Sequence, residues 1–274
     1  MDEHIEPLSE KICAAELRLV DETGSTNDDA RALALEGAPA GTAVAARVQF
    51  AGRGRRGHAW SSPRGGLYLS VVLRPQVSMQ NFVGLSAVCA LAVLESLRED
   101  AGVAQAALKW PNDVVLGDGK LAGVLVEAGM GPQGPYAVCG VGVNLEPQDA
   151  EARGACAFDS PGALAPAQVA DVCAPPAFEL LARSMRDRVV AKVDAWAGEV
   201  NRGRALAGPL APVLNEYFDC VPLLGHLVGV YAPEGTLLGE GMFCGVDCWG
   251  RATVRHANGD EASYAAEQVS LRAR

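Results

Sequence analysis

Apolar and polar residues alternate weakly over residues 16–20, as in a strand, and then give way to the polar run Asp21-Glu22-Thr23-Gly24-Ser25-Thr26-Asn27-Asp28-Asp29. That run leads into a short helical segment at residues 30–35. Ser25 or Thr26 serves as its N-cap, Asp28 and Asp29 complement the positive helix start, and Gly37 closes it. Residues 42–50 and 67–73 read as strands on either side of a glycine- and arginine-rich loop at 51–62. Over 81–100 the apolar residues Phe82, Leu85, Val88, Leu91, Ala92 and Leu94 recur at helical spacing and predict a central helix.

Short strands at 106–110 and 114–116 flank Pro111-Asn112-Asp113, and Asp118-Gly119 reads as the hairpin turn before a strand at 121–127. A strand at 136–143 completes the sheet. Residues 147–176 are rich in Ala and Pro without periodicity, the pattern of a surface excursion or linker, and helices follow at 178–200 and 210–218. Beyond Cys220 the pattern changes to short strands punctuated by Pro233-Glu234-Gly235, Trp249-Gly250 and Asn258-Gly259, which predicts a small β-barrel. The division expected is an α+β domain over 1–219 and a β-barrel domain over 220–274.

Composition narrows the class. A chain of 274 residues, 49% apolar, holds one large domain or a large and a small one. The start carries Asp2, Glu3 and Glu6 rather than a basic segment before an apolar run, so no secretory signal is expected. No stretch reaches the roughly 18 apolar residues that span a bilayer. A cytoplasmic protein, without membrane association, is the expectation. The eight cysteines are scattered and read as small core residues; Cys244 and Cys248, the closest pair, fall two ligands short of a zinc set, so no metal site is expected. A net charge of −10 counts against a surface built for nucleic acid. Residues 37–94 nevertheless contain no Asp or Glu while carrying Arg47, Arg53, Arg55, Arg56, Arg64 and Arg74, which marks that segment as an anion holder.

Three motifs sit there or close by. Gly52-Arg53-Gly54-Arg55-Arg56-Gly57 sets guanidinium forks among glycines that permit close backbone approach; a solvated basic turn is the plain alternative. It is neither a Walker loop nor a dinucleotide turn. Lys109-Trp110-Pro111-Asn112-Asp113 puts a cation, an amide and a carboxylate at a strand break, followed by Lys120-Leu121-Ala122-Gly123; exposed polar residues of a hairpin would look the same. Gly140-Val141-Gly142-Val143-Asn144 ends a strand with two glycines, as where a ligand lies against backbone or where packing is tight. Among four histidines no nucleophile–base set stands out, so the chemistry should rest on cations and positioning. Adenylation fits, because charge develops on phosphate oxygens that Arg, Lys and magnesium stabilise.

In order and spacing, Ser25-Thr26-Asn27, Gln49 with Gly52 to Gly57 and Trp60, Lys109 to Asp113, Lys120 to Gly123 and Gly140 to Asn144 resemble the biotin protein ligases over residues 20–145. Residues 239–254 resemble that family's SH3-like domain. The resemblance implies a class II synthetase-like fold, a mixed β-sheet flanked by helices with a C-terminal SH3-like β-barrel. It also implies a two-step reaction with ATP and Mg2+ that loads biotin onto a lysine of a biotin carboxyl carrier domain.

By the same resemblance, Ser25, Thr26, Asn27 and Gln49 meet the ureido end of biotin. Gly52, Arg53, Gly54 and Arg55 close over its carboxylate and the acyl phosphate, with Gly123 alongside. Lys120 and Arg55 are the catalytic cations, while Arg55, Arg56, Trp60, Asn112 and Asn144 face the nucleotide. His58 stands where the family often has arginine, which weakens a phosphate role there. Only about fifteen residues precede the first strand, so DNA binding by a winged helix is not expected; a homodimer is an open possibility. A lipoate ligase and a silent biotin-binding protein are the rival readings. The glycines and mutually repelling arginines predict a loop over 51–60 that is mobile until an anion neutralises it.

Overall fold

The computed structural model describes residues 15–148 and 164–274. Cys13, Cys156, the acidic start and much of the Ala/Pro-rich stretch lie outside the described residues.

A seven-stranded sheet carries most of the chain, in the order β1-β2-β3-β7-β6-β5-β4. Its strands are β1 (Leu17–Thr23), β2 (Ala43–Gln49), β3 (Gly66–Leu73), β4 (Ala107–Lys109), β5 (Asp113–Leu116), β6 (Gly119–Gly131) and β7 (Gly134–Asn144). β1 and β2 run parallel, joined through helix α1 (Thr26–Leu35), and every other neighbour pair is antiparallel. The expected mixed sheet is therefore borne out.

The two faces of this sheet differ in side-chain size, and that difference creates the site. In β3, Leu67, Leu69, Val71 and Leu73 point one way and are fully buried, as are Cys139 and Val143 of β7. They pack in one core with α2 (Leu85–Glu99) and α3 (Phe178–Glu199). The alternate positions face the other way. Val72 and Val138 there pack against Ala30 and Ala34 of α1, but further along the register pairs are Ser70 with Gly140 and Gly123 with Gly142. Four small residues on one face leave a hollow that aliphatic side chains would have filled.

The central helix begins later than its periodicity suggests, because Met79–Gly84 forms a 3-10 segment before α2. α2 is apolar almost all round and buried almost all round, as expected of a helix sandwiched between α3 and the sheet. The segment Met79–Glu99 has the length and mean hydropathy (1.4) of a membrane span, yet 72% of that window is buried inside the protein. The expected turn at Asp118-Gly119 shifts by one residue: Leu116 pairs with Gly119, and Gly117 supplies the left-handed φ of +56° that the turn needs. β6 and β7 form a longer hairpin than periodicity predicts, because their ends gain ladder partners irrespective of apolar pattern. The helix expected at 210–218 is split into a 3-10 turn, Ala211–Val213, and α4 (Leu214–Asp219).

The C-terminal strands β8 (Leu227–Tyr231), β9 (Leu237–Val246), β10 (Ala252–Arg255), β11 (Glu261–Tyr264) and β12 (Ser270–Ala273) form an antiparallel sheet in the order β11-β10-β9-β8-β12. This is the small SH3-like unit, with its edge strands β11 and β12 not joined into a closed ring. It packs in the same core as the large sheet through Val228, Val230, Phe243 and Leu271. Trp110 ties the two sheets further by donating from Nε1 to the Gly250 carbonyl at 3.0 Å.

Candidate active site

The hollow on the small-residue face opens as a cavity of about 320 Å³. Ser25, Thr26, Asn27, Gln49, Arg53, Gly54, Arg55, Arg56, Trp60, Asn112, Lys120, Gly123 and Asn144 all line it; of the residues expected there only Gly52 does not. Gly52 instead closes the loop: a Cβ on it would stand 2.5 Å from the Trp60 carbonyl and from Ser62 Oγ. Only glycine lets the two arms of the loop approach so closely.

A polar network lines one end. Gln49 Oε1 accepts from the Thr26 backbone N–H (2.8 Å) and hydroxyl (3.0 Å), and Gln49 Nε2 donates to Ser62 Oγ (3.0 Å). The buried Ser70 hydroxyl lies 2.7 Å from Thr26 Oγ1 and 2.6 Å from Asn27 Oδ1. Asn27 Nδ2 donates to Glu127 Oε2 at 2.7 Å. Each amide and hydroxyl is thus oriented by a neighbour, which pre-organises this end for a ligand rich in donors and acceptors. Ser25 is the N-cap of α1, but its side chain makes no capping bond; its carbonyl receives the Asp28 and Asp29 N–H groups.

Trp60 forms the floor. Its indole lies on the paired glycines, where a Cβ on Gly142 would be 2.4 Å from the ring and one on Gly123 would be 2.8 Å from it. Gly140 is likewise bare because Asn27 occupies the space. Gly140 and Gly142 therefore pack closely against Asn27 and Trp60 and also line the cavity. Trp60 Nε1 is buried without a hydrogen-bond partner among the described residues, a rare condition for an indole.

The cations gather at the other end. Lys120 pairs with Asp113 at 2.7 Å, and its ammonium lies 4.9 Å from the Trp60 ring centre. Arg55 donates to Asn112 Oδ1 (3.2 Å) and to Glu267 (3.0 Å). Asn112 Nδ2 donates in turn to the Val124 carbonyl, and Asn144 Nδ2 to that of Lys120 at 3.0 Å. Lys109 also lines the cavity; burial pushes its ammonium below its ordinary pKa, Lys120 and Arg272 push the same way, and Asp113 opposes them.

The glycine–arginine loop has partners throughout. Arg53 Nη1 and Nη2 donate to both Asp28 oxygens (2.6 and 2.8 Å), and Nη2 lies 3.4 Å from Glu127. Arg56 reaches the C-terminal unit, donating to the Ala266 carbonyl and to that of Val269 at 2.8 Å. Those bonds hold Arg56 in a left-handed conformation, φ +58°, that non-glycine residues seldom adopt. Carboxylates thus face Arg53 and Arg55, while Arg56 is held by carbonyls, and burial and the charge of Arg55 lower its pKa. His58 is exposed at the cavity edge.

Sequence reasoning missed Ser70, Glu127 and Asp28, which orient the predicted residues, and the C-terminal wall of Pro233, Ala266, Val269, Ser270 and Arg272. Ser70 could have been found as the lone polar residue in an otherwise apolar strand; the C-terminal wall carries no local signal.

Comparison with known proteins agrees with this geometry. Residues 19–144 match the model of the Biotin/lipoate A/B protein ligase family. The biotin--[acetyl-CoA-carboxylase] ligase of Paracoccus denitrificans is 38% identical over 253 residues, which cover 89% of this chain and 96% of that protein. The chain belongs to the biotin protein ligase family. Another ligase of that name, from Mycobacterium tuberculosis, is 43% identical over 135 residues, 47% of this chain and 49% of its own length. The fold matches that of a biotin protein ligase from Aquifex aeolicus solved in complex with biotin and ATP, with a TM-score of 0.71 at 23% identity over 94% of this chain and 99% of that one.

Proposed function

We infer that this biotin protein ligase joins biotin to AMP and then transfers biotin to a lysine of a biotin carboxyl carrier domain. In the first step a carboxylate oxygen of biotin forms a bond to the α-phosphorus of ATP, and the bond to the bridging oxygen breaks to release pyrophosphate. In the second, a neutral acceptor lysine attacks the acyl carbon; the C–O bond to AMP breaks, and the lysine nitrogen gives up its proton.

The observation that carries this reading is the meeting, in one cavity, of a pre-oriented amide and hydroxyl wall with the cations Arg55, Lys109 and Lys120. The wall around Thr26, Asn27 and Gln49 suits a ureido group. The cations suit two anions that must approach one another, because charge in a partly buried site is stabilised by fixed donors with little reorganisation. Lys120 stands opposite the loop as the group to offset repulsion between carboxylate and α-phosphate, with Arg55 on the phosphate side. Arg53, held by Asp28 and Glu127, contributes its backbone and the loop's position. Trp60, Asn112 and Asn144 lie on the nucleotide side.

Magnesium fits this site as a passenger of the triphosphate. Among the described residues there is no cluster of three metal-ligating side chains, and Asp113 is the carboxylate in the cavity wall; Mg2+ commonly takes one carboxylate and completes its shell with phosphate and water. It would neutralise phosphate charge there.

The name of the Paracoccus relative supports an acetyl-CoA carboxylase carrier as acceptor. Net charge supports the expectation of no DNA binding. The division at residues 219 and 220 is supported by the change from α4 to the second sheet, and a cytoplasmic site of action by the supply of ATP and carrier.

Labelled pyrophosphate exchange into ATP tests the first step. Exchange that depends on biotin and not on lipoate is expected; exchange with lipoate alone would replace the reading with a lipoate ligase, and none with either would leave a binding protein.

A further inference from the structure

The arginine that opens the glycine loop lines the cavity and directs its guanidinium into a carboxylate pair. Asp28 takes both Nη atoms of Arg53 in a fork, at 2.6 and 2.8 Å, and Glu127 lies 3.4 Å from Nη2. Hydrogen bonding to Arg53 holds the Asp28 carboxyl below its usual range, and the same bond raises Arg53, so both stay ionised. Arg31 braces the pair from one helical turn away, 3.5 Å from Asp28 and 3.0 Å from Glu127 Oε1. Glu127 Oε2 also receives Asn27 Nδ2 at 2.7 Å. Two arginines and two carboxylates from α1, the loop and β6 thus form one closed network, and its third donor, Asn27, is a side chain of the polar cavity wall.

We propose that Asp28 and Glu127 are positioning residues that latch the glycine–arginine loop, through Arg53, across the biotin end of the cavity while fixing Asn27 for the ligand. This rests on the functional reading above for the identity of the ligand, not for the latch.

The physical argument is one of geometry. The loop is pinned at Arg56 to the C-terminal unit and at Arg53 to α1, with the cation Arg55 suspended between the pins. A bidentate guanidinium–carboxylate pair fixes orientation as well as distance. The members are 29% to 50% exposed, so the latch is weak enough to open for exchange of ligand and product. The Asn27 amide makes Glu127 common to loop closure and ligand binding: the carboxylate that holds the loop also sets the direction of Asn27 Oδ1.

The test uses the full chain with Asp28→Asn and Glu127→Gln. Asp29→Asn is the control, since it removes an acidic charge from the same helix turn without touching the latch. Trypsin cleavage at Arg55 and Arg56 in the absence of ligand reads the latch without any catalytic assay. Asp28→Asn is expected to speed cleavage about fivefold, the scale of one surface ion pair, and Asp29→Asn to leave it unchanged. For Asp28→Asn, KM for biotin in pyrophosphate exchange rises by a similar factor while kcat falls less than twofold; Glu127→Gln raises it further by loosening Asn27. Equal cleavage and equal KM in Asp28→Asn and the parent would overturn the latch. Absence of biotin-dependent exchange in the parent, with the cleavage pattern as expected, would count against the ligase reading and leave the latch standing.

Discussion

Lys120 and Asp113 meet at 2.7 Å in the cavity wall, with side chains 29% and 18% exposed. A pair so placed holds the lysine in the cavity wall until a substrate anion competes for it. Replacing Lys120 with Gln keeps most of the length and removes the charge. The lost interaction strengthens as the phosphoryl group moves between oxygens, so biotin-dependent pyrophosphate exchange is expected to fall about 100- to 1000-fold, with a smaller loss of biotin affinity by calorimetry. If Lys120 only decorates the β5–β6 hairpin, exchange will be unchanged and melting will shift by less than about half a kcal/mol.

Arg55 is held from two sides of unequal worth. Asn112 is buried, while the Glu267 side chain is 76% exposed. Glu267→Gln should therefore change exchange by less than about twofold, since exposed pairs contribute little. Asn112→Ala frees Arg55 and also strips a donor from the Val124 carbonyl, so it should cost about 1–3 kcal/mol of stability and slow exchange at least about tenfold. Steady-state rates and melting of both variants check the order; the reverse order would refute it.

Gly142 is bare because Trp60 fills its side-chain space. Gly142→Ala places a methyl group 2.4 Å from the indole, and the ring must move. A loss of about 1–3 kcal/mol is expected, together with a higher KM for ATP. With Trp60→Ala in the same chain the two effects should be clearly less than additive, because the larger ring no longer competes for the site. Strict additivity in melting experiments would show that the contact is not felt.

Asp100, outside the site, contributes to acid stability. Arg188 bonds Asp100 at 2.6 and 2.8 Å and thereby lowers its pKa, with Ser184 and Ser96 adding to the effect against desolvation. The folded value lies below the unfolded one, so this contribution is complete above the unfolded value, near pH 4, and disappears as pH falls through the folded value. Asp100→Asn should lower stability at neutral pH and flatten the decline below about pH 4. Denaturant melts at neutral and acid pH measure it; parallel parent and variant curves would contradict it.

The sequence by itself determined the elements whose burial leaves a periodic trace. α2, the strands β2, β3 and β7 and the switch to short strands after Cys220 could be read because an apolar residue at the right interval is a local record of which face is covered. The loop and the lysine motifs were legible through their resemblance, in order and spacing, to the biotin protein ligases; taken singly, a solvated basic turn and an exposed hairpin accounted for them equally well. Only the tertiary structure decided what each charged group does. Asn27 meets Glu127 across 100 residues, and Arg56 meets Ala266 across 210. Nothing local to either partner encodes those meetings. They follow from strand register and the docking of the second sheet, which turned Arg53 into a tie to α1, gave Arg55 and Arg56 partners from the C-terminus, and assigned the glycines of β7 to packing against Trp60 and Asn27.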